Sequence, residues 1–166
     1  AARETALFAI QRLAASDAAA AAGHLEKIEA ALRPEERAYG WSQIAFWGAK
    51  THLPEALAWF NKAEGTALNE EAQAWRVRAA LRAHDWPAVM HAIAAMSPTL
   101  ASQPDWIYWR ARALQTLGQK DVALGLFQQI AGQPNFYSNL ADEELGRAIH
   151  LPPQAGDEVL GVARQR

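Results

Sequence analysis

The chain has 166 residues, a formal charge of −2, 51% hydrophobic residues and no cysteine; its mean hydropathy is −0.19 and its pI about 6.2. A near-neutral balance carries no electrostatic footprint for nucleic acid or an anionic membrane. The absence of cysteine excludes disulfides, thiol catalysis and cysteine-bound zinc, and no apolar run approaches the roughly 18–20 residues a membrane span needs.

Valine occurs only at Val77, Val89, Val122, Val159 and Val162, with no alternating β-branched run, so the chain reads as all-α. The first helical pair is expected at about 4–15 and 18–32, with Asp17 as the N-cap of the second helix. Arg33-Pro34 breaks the chain, and Pro34-Glu35-Glu36 opens the next helix, with proline in the first turn and acids at the positive end of the dipole. Its partner is expected over 54–63, closed by Gly65. Asn69 caps a third pair, 70–83 and 86–96, and the segment from Ser97-Pro98 to Gln103-Pro104 reads as a short linker. In the fourth pair Trp106, Trp109, Ala113 and Leu117 share one helical face. Leu117-Gly118 stops that helix, and Val122, Ala123, Leu126, Phe127 and Ile130 form the next. A last helix over 134–148 would cover the open side of this pair. The expected organisation is a helical-repeat domain over 1–150 and a linker, or the start of a following domain, over 151–166. The N-terminal AARETALF has no basic-then-apolar leader, so a signal peptide is expected to lie upstream or to have been removed.

A fixed period links these pairs. Trp41, Trp75 and Trp109 follow one another at intervals of 34 residues, and one further step back reaches Leu7. Leu25, Trp59, Ile93 and Phe127 form a second column with the same period, and Ala45, Ala79 and Ala113 a third. Helix–turn–helix units repeating every 34 residues are the tetratricopeptide-type pattern, giving an expected right-handed α-superhelix of about nine helices. Each hairpin in such an array buries one face against its neighbour. The tryptophan columns therefore read as packing positions, whereas Trp47, Trp86 and Trp106 fit the columns less well and are the candidates for a surface role.

No catalytic constellation stands out. The five histidines, His24, His52, His84, His91 and His150, include no pair spaced to hold a metal from one helix, and no cofactor motif occurs. Adjacent carboxylates occur at Glu35/Glu36, Glu70/Glu71 and Glu143/Glu144, but neighbouring helical residues point about 100° apart and cannot face each other across a scissile bond. Dipole stabilisation accounts for the first two pairs. Arg76, Arg78 and Arg82 lie on the first helix of the third pair, and Arg110 and Arg112 occupy the positions equivalent to Arg76 and Arg78 in the fourth. Such arginines could form a ladder for a carboxylate ligand, or simply a solvated face opposite Glu70, Glu71 and Asp105. The candidate ligand contacts are Arg78, Arg82, Tyr108, Arg112 and Trp47.

The segment from Asp105 to Gly146 resembles a known family. Trp106-Ile107-Tyr108-Trp109-Arg110-Ala111-Arg112, then Leu117-Gly118, Phe136-Tyr137 and Leu145-Gly146, is similar to the end of the superhelical U-domain of soluble lytic murein transglycosylases. The segment 69–86 is similar to the preceding unit of that domain, and 3–63 fits more loosely. The resemblance implies a periplasmic enzyme that cleaves the MurNAc–GlcNAc bond of peptidoglycan and leaves an anhydro-muropeptide. Its catalytic glutamate belongs to a lysozyme-like domain whose Glu-Ser, Gly-Leu-Met-Gln and Ala-Tyr-Asn-x-Gly segments are not found in this sequence, so no catalytic residue carries over. The expected role is a non-catalytic scaffold that docks to companion linker and catalytic domains, supports a ring and contacts peptidoglycan. The rival expectation is a stand-alone tetratricopeptide-type adaptor that holds a peptide in its groove.

Overall fold

A computed structural model describes residues 1–149, with side-chain surroundings as far as Gly146; the expected 151–166 linker lies outside the described residues. These residues are all-α and divide into two compact units, Ala1–Pro98 and a second beginning at Thr99.

The first unit holds three hairpins: α1 (Ala2–Ser16) with α2 (Ala18–Ile28), α3 (Pro34–Lys50) with α4 (Ala56–Lys62), and α5 (Glu70–Arg82) with α6 (Trp86–Ala94). Local chemistry sets most of the starts. The Asp17, Asn69 and Asp85 side chains accept from the backbone N–H of Ala20, Ala72 and Ala88 at 2.9, 2.8 and 3.0 Å, each satisfying a donor the helix cannot. Before α3, the backbone N–H of Arg33 donates to Glu36 at 2.9 Å and Pro34 takes the first helical turn.

The first helix of each of the last two hairpins in this unit ends in the same way. His52 N–H donates to the Ala49 carbonyl at 3.0 Å and Leu53 N–H to that of Gly48 at 2.9 Å; His84 and Asp85 donate to Leu81 and Ala80, each at 3.1 Å. These are Schellman caps, which require a left-handed residue, and the residues holding that conformation are His52 (φ 62°) and His84 (φ 52°).

Packing follows the hairpin logic. Helices α1 and α2 pack on α3, α3 on α4 and α5, α4 on α5, and α5 on α6. Alanines Ala18, Ala21 and Ala22 are buried and let α2 lie close to its neighbours, and Leu25, Ile44, Ala45, Ala56, Trp59 and Phe60 fill the interior. Each large apolar side chain fully removed from water contributes about 1.5–3 kcal/mol. All four residues of the second column, Leu25, Trp59, Ile93 and Phe127, are buried, as are the three column alanines. Trp41 is buried too; its indole N–H donates to Glu29 at 3.0 Å and Lys62 lies 4.3 Å from its ring. Trp75 and Trp109 are half-buried.

The second unit contains α8 (Pro104–Thr116), α9 (Lys120–Ile130) and α10 (Phe136–Ile149); α8 and α9 form a hairpin and α10 packs on both. Helix α8 ends in a third Schellman cap, with Gly118 at φ 90°. Asn135 accepts from Ser138 N–H at 2.8 Å, which starts α10 two residues after the proline expected to open it. A one-turn helix, α7 (Pro98–Ala101), occupies the expected linker, so the described residues hold ten α-helices. Two other boundaries move. The helix expected over 18–32 tightens into a 3-10 turn at Glu29–Ala31, because Arg33 precedes proline and is driven to extended backbone. Helix α4 starts at Ala56 rather than Pro54, with Glu55 as its N-cap.

Candidate functional site

Helices α3 and α5 pack side by side and bring Tyr39, Phe46, Trp47, Lys50, Trp75, Arg78 and Arg82 onto neighbouring elements. Tyr39, Ser42, Gln43 and Phe46 fall on one face of α3, because residues three and four apart share a face. With the connection 67–69 and Glu71 and Ala72 of α5, they line a cleft of about 380 Å³. Beyond it, Phe46 and Trp47 meet edge to face with centroids 5.2 Å apart, and Lys50 Nζ lies 5.1 and 4.9 Å from their rings. The same ammonium is 3.8 Å from Glu71 and so ties α3 to α5. On α5, the Arg78 guanidinium lies 4.6 Å over the half-buried Trp75 ring. Cation–aromatic contacts of this kind hold a long side chain against an apolar surface.

The arginines divide by helical face. Arg78 and Arg82 are exposed, whereas Arg76 is 8% exposed. It is turned inward, where its guanidinium donates to Glu64 at 2.8 Å. Glu64 also holds the His91 ring nitrogen at 3.0 Å. These contacts, the His91 hydrogen bond foremost and the Arg76 charge with it, hold the Glu64 carboxyl below its ordinary value of 4.5 against a smaller opposing effect of burial. Arg82, with His52, rims a small pocket of about 210 Å³ floored by Ala49, Leu53 and Ala79.

In the second unit Arg110 is exposed, but Arg112 is half-buried; it donates to the Tyr108 hydroxyl at 2.9 Å and lies 3.6 Å from the buried Glu144. Tyr108 itself is 3% exposed. Its ring stacks near Phe127 and Tyr137, at 5.7 and 5.5 Å. The expectation that Tyr108 contacts a ligand is therefore corrected: the ring is interior, and its hydroxyl serves Arg112. Trp106, expected at a surface, is also interior at 4% exposure. Trp47 and Trp86 are half-buried.

The carboxylate pairs are occupied structurally. Glu36 caps α3, Glu70 accepts from the Ser97 hydroxyl at 3.1 Å, and Glu144 lies 3.6 Å from the Arg112 guanidinium. Among the described residues no group of three or more His, Asp or Glu side chains could hold a metal. Glu64 is the residue the sequence reading missed. Its signal was indirect: Arg76 falls between Ala72 and Ala80 on the buried side of α5, and a cation there requires an acidic partner.

The class these features define is an all-α helical-repeat protein of packed hairpins. No family model matches the chain and no curated protein matches it. Among solved structures it is similar to the lytic transglycosylase Slt from Pseudomonas aeruginosa, crystallised as an inactive mutant. The TM-score is 0.71 and the identity 27%, over 82% of this chain and 23% of that one. The chain is thus a lytic transglycosylase-like helical segment, and it spans less than a quarter of the length of that enzyme. No helix among the described residues is long and apolar enough to cross a membrane.

Proposed function

We propose that this chain is a non-catalytic, superhelical U-domain-like scaffold of a periplasmic peptidoglycan lytic transglycosylase. It would support ring assembly by docking to companion linker and catalytic domains, and contact the glycan strand. The parent reaction would be cleavage of the MurNAc–GlcNAc bond to give an anhydro-muropeptide. The observation that carries this reading is the similarity to the transglycosylase over 82% of the chain. The chemistry of the α3–α5 face is compatible with it, since exposed or half-exposed aromatics flanked by cations and amides suit a polymer that presents sugar faces and carboxylates together.

Co-sedimentation of the chain with insoluble peptidoglycan tests the contact, and muropeptide release from the same material tests the absence of catalysis. Retention in the pellet without released anhydro-muropeptides is the expected result. Turnover by the isolated chain would overthrow the scaffold role. Failure to sediment, together with saturable binding of an extended peptide, would favour the tetratricopeptide-type adaptor instead.

A further inference from the structure

The cleft between α3 and the start of α5 has an unusual balance of chemistry. The one carboxylate among its lining residues, Glu71, is balanced by Lys50, 3.8 Å away and outside the lining, and no cation lines the cleft. Much of its polarity is already committed. The Ser42 hydroxyl donates to the Tyr39 carbonyl at 2.6 Å, and Asn69 Oδ1 accepts from Ala72 N–H. What is left to meet a ligand is the Gln43 amide, the Asn69 amide nitrogen and the rings of Tyr39 and Phe46. Tyr39 is 41% exposed and Phe46 half-buried. Tyr39, Gln43 and Phe46 stand at successive turns of one face of α3, so an amide lies between two aromatic edges.

This arrangement selects among ligand classes. An ionic ligand would give up its hydration for walls with no spare counter-charge, and a wholly apolar one would bury the two amides without partners. A compact neutral ligand with a flat C–H face and a rim of hydroxyl and amide groups satisfies both kinds of wall. The volume of about 380 Å³ lies within the roughly 300–1,000 Å³ usual for small-molecule clefts. We propose that this cleft is a sugar subsite that takes an N-acetylated hexose ring, with the ring face against Tyr39 and Phe46 and its acetamido group on Gln43 and Asn69. The proposal rests on the peptidoglycan-contact reading above and assigns that contact to one place.

The test is calorimetric titration of the whole chain with N,N′-diacetylchitobiose. Saturable binding is expected, weakened by about tenfold or more in Gln43→Ala through loss of the amide contact, and unchanged in Lys120→Ala, an exposed position outside the cleft. Because Phe46→Ala disturbs packing with Trp47, Gln43→Glu serves as the second variant: it keeps size and fold but introduces a charge the ligand cannot match. No saturable heat with wild type, or full binding by both Gln43 variants, would overturn the subsite. Displacement of the sugar by a neutral acetylated tetrapeptide that binds more tightly would assign the cleft to a peptide and overturn it equally. Co-sedimentation with peptidoglycan separates the two levels: wild type that pellets without binding chitobiose loses only the subsite, whereas wild type that does not pellet loses the underlying reading.

Discussion

A Cβ placed on Gly48 would stand 2.6 Å from Cζ3 of Trp59, so the α3 backbone lies directly against that indole. This contact joins the two helices of the second hairpin, and it exists only because position 48 has no side chain. Gly48→Ala forces the ring or the helix to move. Overpacking of this kind costs about 1–3 kcal/mol, more than the ~1 kcal/mol that alanine returns through helix propensity. Gly23, in α2, is the control, since nothing lies within 4 Å of its added Cβ; Gly23→Ala should stabilise by up to about 1 kcal/mol. Urea unfolding of the two variants should move in opposite directions.

His84 and Gly118 occupy the same place in successive repeats, both left-handed, at φ 52° and 90°. A side chain in that conformation costs about 1 kcal/mol or more, partly offset by the lower unfolded-state entropy of a non-glycine residue. His84→Gly should therefore raise stability by about 0.5–1 kcal/mol, and Gly118→Ala should lower it by about 1 kcal/mol. Denaturant midpoints decide this, and a destabilised His84→Gly would show that the ring makes contacts worth more than the strain.

The depressed pKa of Glu64 makes stability fall in acid. Because the folded carboxyl titrates below its ordinary value of 4.5, its contribution is complete above that value and is lost as pH drops through the folded pKa. The stability gap between wild type and Glu64→Gln should be present at pH 7 and close below about pH 4.5. Glu64→Gln should also be less stable at neutral pH, since it leaves the guanidinium of Arg76, 8% exposed, without a charged partner. A gap that stays constant down to pH 3 would remove Glu64 from the acid response.

Arg78 and Arg112 stand at equivalent repeat positions but should respond differently to alanine. Arg112 faces the buried Glu144 at 3.6 Å and the Tyr108 hydroxyl, so Arg112→Ala should cost about 2 kcal/mol, below the 3–5 of a fully buried pair because Arg112 is one-third exposed. Arg78 lies over Trp75 at the surface, and Arg78→Ala should cost less than about 1 kcal/mol. If either arginine serves peptidoglycan, Arg78→Ala should weaken co-sedimentation with stability intact. Equal stability losses in the two variants would contradict this division.

Much of the fold was legible before any coordinates. Asp17 and Asn69 are helix caps in both the sequence and the structure, and the column Leu25, Trp59, Ile93 and Phe127 is interior throughout. The helix in 97–104 was not legible, because two prolines mark where helices stop but do not forbid a single turn between them. Side-chain destinations on a half-buried helix were harder still. Arg76 and Arg78 sit two residues apart, about 200° around α5, and one is interior while the other meets solvent. For Tyr108 and Trp106, burial depends on what packs over α8, and α9 and α10 do so.

The sequence by itself determined that the chain is helical, where most helices start, and that hairpins recur every 34 residues, because caps, prolines and apolar period act over one or two turns. The tertiary structure alone decided which polar groups are spent on folding and which remain for a ligand. Glu64 meets Arg76 and His91, and Lys50 meets Glu71, only when separate helices come together. Charge is neutralised or left free by distances of a few ångströms, and those distances are a property of packing.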